Sequence, residues 1–349
     1  MSASEAPLTP SRTPWKSGLV GLALAVLFLW LAMRNVNPDS VLAELRKADL
    51  RLLALTIPVK ALGFLVGALR QRILCAATAR APLSTFLGAG LVGFAGNNLL
   101  PLRLGELLRI HYLGRRLAKP YSTCVAVVAF ERLTDLAVLL AATALLLPML
   151  TARLDGTGQL YGYYAVVAVL VVGVAALARY QESLARAAGE LVGRVSRRFR
   201  EVAESMVRAF AAGFASLSSR AGVLLVLLLT ATNWGLMCVN VWIVLRALAL
   251  PLPLLAPLAV LVFLALGTAL PSSPAFIGSY HYFASSALVL LFGVEKDRAI
   301  SFAIVMHAAA TLPFTVVALP WLWRELTMVL RRRTRNAAAP PAPPAASAG

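Results

Sequence analysis

Apolar residues along this chain fall in long runs, at 17–33, 52–69, 83–100, 121–147, 160–178, 221–245, 252–270, 279–292 and 298–323. Runs near 20 residues match the hydrocarbon thickness of a bilayer, which a helix crosses at about 1.5 Å per residue. The pattern predicts an all-α polytopic membrane protein with about eight transmembrane helices. One run differs. Residues 83–100 are rich in Gly and Ala, end in Asn97, Asn98 and then Pro101, and have arginines on both sides, Arg70, Arg72 and Arg80 before and Arg103, Arg109, Arg115 and Arg116 after. If both flanks lie on one face, the segment is a re-entrant hairpin, which is allowed only where protein or water covers its backbone; a full span is the other reading. A second stretch, 271–281, breaks an apolar run with Pro271, Pro274 and Gly278 and closes on His281. Two interrupted segments in corresponding halves point to a site built from discontinuous helices, and to an inverted repeat, although the halves share no residue-level similarity.

The polar stretches complete the organisation. Residues 1–16 are polar and Pro-bearing and are expected to be disordered, and the run after them reads as a retained first span because no clean small-x-small cleavage site follows. Residues 38–51 form a short amphipathic linker. Residues 179–220 hold eight arginines between Leu184, Leu191, Val195, Val202, Met206, Phe210 and Leu217. That helical spacing fits an amphipathic helix on the cytoplasmic leaflet, with a solvated connecting helix as the alternative. Residues 326–349 read as a basic, Ala/Pro-rich disordered tail.

Composition confirms the class and limits the partners. The chain is 60% hydrophobic and 14% charged, against nearer a quarter charged in soluble domains. Its net charge of +18 comes from short basic tracts between the runs. That placement follows the positive-inside rule and puts both termini and residues 179–220 in the cytoplasm of a cell inner membrane protein. An anionic lipid is therefore the expected partner, and nucleic acid is not. Cys75, Cys124 and Cys238 show no metal spacing, so neither metal nor cofactor is expected.

Charges inside the apolar runs are the candidate chemistry. Lys60 lies mid-run, Arg103, Glu106 and Arg109 follow the Asn pair at i, i+3 steps, and Glu131, Arg132 and Asp135 lie about ten residues into the next run. A charge at the bilayer centre costs roughly 2.5–3.5 kcal/mol, so each needs a partner or a water-filled cavity. Glu131 and Asp135, four apart, face one side of a helix. The plain structural account is a lock between two helices. Lys60, Arg103, Arg109 and Arg132 outnumber Glu106, Glu131 and Asp135, however, and a surplus cation in a low-dielectric cavity suits a phosphate. The expectation is a headgroup site of Arg103 and Arg109 with Asn97 and Asn98, balanced by a charge network of Lys60, Glu106, Glu131, Arg132 and Asp135. Asn233 and Asn240 are expected to hydrogen-bond between helices. His111, His281 and His307 are scattered and read as packing residues, and no Ser/His/Asp set, H-E-x-x-H or phosphate-cradling Gly loop is present. The chain is not expected to be an enzyme.

At these residues the chain resembles the flippase-like transmembrane family that includes the membrane half of bacterial lysylphosphatidylglycerol synthases. The resembling pattern is Asn97 or Asn98, Pro101, Arg103, Gly105, Glu106 and Arg109, then Glu131, Arg132 and Asp135, then Pro271, Pro274, Ile277 and Gly278, within residues 17–325. Two positions depart from it: Ala275 follows Pro274 where the family has Gly, and His281 stands where a Glu is common. The resemblance implies a carrier that moves an anionic phospholipid or lipid-linked intermediate between leaflets. Relatives fused to a glycosyltransferase imply a shared role around lipid-linked substrates, and the tail, standing where synthases continue into an aminoacyl-transfer domain, carries the expectation that this chain does not itself charge a lipid. The alternatives are a non-catalytic membrane partner of a separate cytoplasmic lipid-modifying enzyme, and an intramembrane enzyme using Glu131 or Asp135 as a general base.

Overall fold

A computed structural model describes residues 14–76, 79–154, 220–269 and 274–337, with positions 180, 183, 186 and 190 besides. Its helices are α1 Pro14–Met33, α2 Pro38–Arg46, α3 Leu50–Cys75, α4 Leu83–Leu99, α5 Leu104–Leu117, α6 Tyr121–Leu154, α7 Arg220–Ala247, α8 Leu255–Ala269, α9 Ser279–Phe292 and α10 Lys296–Ala337. Single turns of 3-10 helix at Pro101–Arg103 and Pro274–Phe276 mark the two interruptions, and no strand occurs among the described residues. The expected all-α polytopic membrane fold is present. Four helices are long and apolar enough to cross a bilayer, at Leu50–Cys75, Ala221–Ala247, Pro274–Phe292 and Lys296–Arg331. Shorter apolar helices cover Leu22–Met33 and Leu255–Thr268. The span at 160–178, almost all of the amphipathic stretch 179–220, and Pro271 lie outside the described residues.

Local chemistry sets the ends of these helices. Asn37 caps α2 by accepting from the Asp39 N–H, with Pro38 at the first helical position. Asp49 caps α3 through the N–H groups of Arg51 and Leu52. Large apolar side chains point outward, where lipid replaces water: Leu224 is 65% and Val316 64% exposed. Contacts between helices interleave small residues with large buried ones, because lipid offers no hydrophobic drive for association and close packing supplies dispersion instead. One core joins α7 to α10 through residues such as Val244, Ala256, Ala284 and Phe302. A second surrounds α4 and α5 with Phe86, Ala89, Leu113, Cys124 and Val226.

The run at 83–100 is one arm of a helical hairpin. Its return arm is α5, so the chain enters and leaves at the same end of the bundle. The packing shows the antiparallel register. A Cβ on Gly88 would stand 2.4 Å from the Tyr112 hydroxyl, one on Gly93 3.2 Å from the Arg109 side chain, and one on Gly96 2.5 Å from the Gly105 Cα. The return arm is amphipathic, so hydropathy alone does not mark it. Two ends also differ from expectation. Helix α1 begins at Pro14, ahead of the apolar run. Helix α10 continues through residues 326–337, where a disordered tail is expected. No proline interrupts that basic stretch, and arginines at a helix C-terminus complement its dipole.

Candidate functional site

The intramembrane charges form a continuous paired chain. Arg70 donates to Asp135 at 2.6 Å and to the Thr230 hydroxyl at 3.2 Å. Asp135 also lies 3.5 Å from Arg132 and accepts from the Trp234 indole at 3.4 Å. Arg132 reaches Glu106 at 3.3 Å, Glu106 lies 3.8 Å from Arg109, and Arg109 donates to Glu131 at 2.5 Å. Glu131 and Arg70 are buried, while Arg132 is 57% exposed. Four helices, α3, α5, α6 and α7, are tied together by this chain.

Its composition corrects the expected balance. Three arginines, Arg70, Arg109 and Arg132, meet three carboxylates, Glu106, Glu131 and Asp135, so the network is neutral rather than cation-rich. Lys60 does not join it. Its ammonium lies 5.1 Å from the centroid of the Phe94 ring and 6.0 Å from that of Phe64, a cation–π seat. The partner the sequence hides is Arg70, which reads there as one of several flanking arginines; its pairing spans 65 positions of the chain.

Arg103 stands apart. It caps the hairpin tip at φ 55°, ψ 34°, in the left-handed region, and is exposed. Its guanidinium lies 5.0 Å from the centroid of the Phe276 ring, and it forms no ion pair among the described residues. Phe276 belongs to the other interruption, so the two broken segments meet at this contact. Ala275 and Phe276 also have positive φ, 55° and 58°. A non-glycine residue there costs roughly 1–2 kcal/mol, and such strain concentrates at functional sites. Gly278, at φ 91°, has no room for a Cβ, which would lie 2.3 Å from the Ala25 carbonyl oxygen of α1.

The asparagines take supporting positions. Asn98 donates to the Thr315 hydroxyl of α10 at 2.9 Å. Asn97 packs across the hairpin, its side-chain oxygen 2.6 Å from where a Gly105 Cβ would sit. Asn240 bonds to Leu236 of its own helix at 3.2 Å instead of bridging two helices.

Two further polar groups are not apparent from sequence. Fully buried Glu325 accepts from Arg115 at 2.6 Å and meets His111 Nδ1 at 2.6 Å, fastening the return arm α5 to α10. His281 and His307, far apart in sequence, pack edge to face with ring centroids 4.8 Å apart, just behind the Pro274–Phe276 turn. The histidines are scattered only along the chain. Among the described residues no group of three or more His, Cys, Asp or Glu could hold a metal ion.

The family described as the lysylphosphatidylglycerol synthase TM region matches residues 18–318 of this chain. The chain belongs to that family. The matched stretch includes both interruptions and the paired network. A curated relative, glycosyltransferase AglD of Haloferax volcanii, is 27% identical over an alignment covering 83% of this chain and 51% of the relative. The chain thus spans about half the length of that relative. No solved structure matches it.

Proposed function

We propose that this protein moves the headgroup of an anionic phospholipid or lipid-linked intermediate between the leaflets of the cell inner membrane, with both termini cytoplasmic. The observation that carries the reading is Arg103, an exposed arginine free of any carboxylate partner among the described residues, where the two interrupted segments touch. A planar guanidinium offers two parallel hydrogen bonds to a phosphate. Phe276 beneath it supplies an apolar floor, and the neutral network of Arg70, Arg109 and Arg132 with their acids keeps the surrounding helices rigid without competing for the anion. Arg109, already bound to Glu131, acts as support rather than as a ligand. Acyl chains remain in lipid while the headgroup passes between the two breaks. Membership of a family described by a lipid synthase's membrane region supports a lipid as cargo. In this reading the chain performs no covalent chemistry.

The test is headgroup translocation in proteoliposomes. Arg103→Ala should abolish transport of an anionic lipid, and Arg103→Lys, which keeps charge but not the fork, should lower it by about tenfold, the worth of one such bond. Transport by Arg103→Ala at the wild-type rate would overturn the reading. A second reading, that the chain is the membrane partner of a separate lipid-modifying enzyme, is favoured by the name of the relative, a glycosyltransferase of which the match covers 51%. It predicts unchanged translocation in Arg103→Ala but loss of the partner's product in cells.

A further inference from the structure

Behind the Pro274–Phe276 turn, three side chains form a titratable cluster that the phosphate reading leaves unused. His307 Nε2 lies 2.9 Å from the Ala275 carbonyl oxygen. A carbonyl only accepts, so Nε2 carries the hydrogen and Nδ1 is the basic nitrogen. The Tyr280 ring stacks on His307 with centroids 4.6 Å apart, and His281 meets His307 edge to face at 4.8 Å. The His281 Nδ1 is buried with no hydrogen-bond partner. His307 lies 9 residues beyond Arg298 and 17 before Arg324, the charges that bound the apolar part of α10. That places it about 14 Å along the helix from Arg298, inside the apolar part.

Charged groups are few around the pair. Helix α9 and the described side chains of α1 contribute none, and α4 contributes only Asn97 and Asn98. The cations that approach are Arg103 over Phe276, and Lys60, which sits by Phe64, itself stacked on Phe314 of α10. The carboxylates of α10, Asp297 and Glu325, stand 10 and 18 residues from His307 along the helix, and those of α2 and the α2–α3 link, such as Glu44 and Asp49, lie outside the spans. No carboxylate among the described residues pairs with either imidazole. Two imidazoles this close cannot both be charged cheaply, so the pair holds one proton at most. An imidazolium here is stabilised by the Tyr280 ring face but has no anion.

We propose that His281, His307 and Tyr280 form a proton-binding site that fills together with the anionic headgroup, so that translocation is proton-coupled cotransport. The proposal rests on the headgroup reading above. The headgroup phosphate supplies the charge that the imidazolium lacks, and by reciprocity a bound anion raises the pair's proton affinity as much as the proton raises affinity for the anion. The Ala275 carbonyl, hydrogen-bonded to His307 and one residue before Phe276, links protonation to the floor of the Arg103 contact.

The protein has only three histidines, so imidazole resonances of the full chain can be assigned by single substitutions. Titration is followed by NMR between pH 5 and 8 in nanodiscs of phosphatidylcholine, then with phosphatidylglycerol added. The His281–His307 pair should take up one proton, with a midpoint raised by about one pH unit, a tenfold gain in proton affinity, when phosphatidylglycerol is present. In proteoliposomes a one-unit pH gradient should speed wild-type headgroup movement by up to about tenfold, and His307→Gln, which keeps the N–H donor to Ala275, should not respond to it; His281→Gln serves as the second variant. Imidazoles that stay neutral in both nanodiscs, or titrate identically in both, overturn the proposal, and if wild type still translocates the headgroup reading survives. A lipid-dependent midpoint without translocation keeps the proton–anion site and removes the transport reading.

Discussion

Two charged regions lie side by side in this molecule and follow opposite rules. In the network from Arg70 to Glu131, every arginine faces a carboxylate and four helices are joined. At the meeting of the interruptions, Arg103 faces an aromatic ring, two imidazoles face each other, and three non-glycine residues stand at positive φ. The first region resembles a lock, because charges that must stay in lipid are cheapest when matched. The second leaves charge and strain unresolved, and a ligand gains most where the protein has not already satisfied itself. Number of charges does not distinguish a site from a lock; pairing does.

The largest effect expected from breaking the comparison is in the lock. Glu131→Ala leaves the largely buried Arg109 with only the longer contact to Glu106 at 3.8 Å, and removal of one partner of a buried pair costs about 3–5 kcal/mol. Thermal unfolding in detergent should show Tm falling by many degrees. The Glu131→Ala, Arg109→Ala double variant should recover part of that loss, since it removes the stranded charge; a double variant less stable than the sum of its singles would show that the pair is not the source. Gly105→Ala should act on the same scale. Its Cβ would stand 2.1 Å from the Gly93 carbonyl oxygen and 2.4 Å from the Asn97 N, backbone atoms that move only if the hairpin opens. Arg103→Ala should behave oppositely, with a small fall in Tm and transport lost, because it removes only an exposed cation–π contact worth about 0.5–1 kcal/mol.

A smaller effect sharpens the account of strain. Ala275 occupies a left-handed position, φ 55°, where glycine would carry no Cβ penalty. Ala275→Gly removes the Cβ penalty, against a gain in unfolded-state freedom, so stability should rise by up to about 1 kcal/mol. A fall in Tm would mean that the Ala275 side chain is wanted for packing and that the turn is not strained.

The sequence displays the spans, the two breaks and the cluster of charges, because each is a local departure from an apolar background. It hides whatever depends on register between distant segments. Arg70 pairs with Asp135 across 65 residues, and Arg115 with Glu325 across 210. The return arm α5 escapes notice since LGELLRIHYLGRRL alternates polar and apolar faces, as a helix does when it lies against protein on one side. The surplus of cations inferred from counting is absent from the network, because Lys60 and Arg103 lie against aromatic rings while Arg70 joins Arg109 and Arg132 among three acids. Histidines 26 residues apart meet because α9 and α10 form adjacent antiparallel arms.

The smallest expected effect lies outside the membrane and serves as a control for the lock. Glu44 of α2 pairs with Lys47 at 2.9 Å and with Arg298 of α10 at 3.5 Å. The Lys47 hydrogen bond, outweighing partial burial, holds the Glu44 carboxyl below its ordinary value of 4.5. A carboxylate lowered in the folded state stabilises it above the unfolded pKa, and that contribution disappears as pH falls through the folded value. Exposed pairs are worth about 0.2–1 kcal/mol and are screened by salt. Lowering pH from 6 to 3.5 should therefore lower the hydrogen-exchange protection of α2 slightly once the intrinsic rate is divided out, less so at high salt, and Glu44→Gln should flatten that response. A response at α2 as large as that of Glu131→Ala at the lock would mean that ion pairs in this protein are equally strong at the surface and within the membrane. The contrast between matched buried charge and screened surface charge would then no longer separate the two regions.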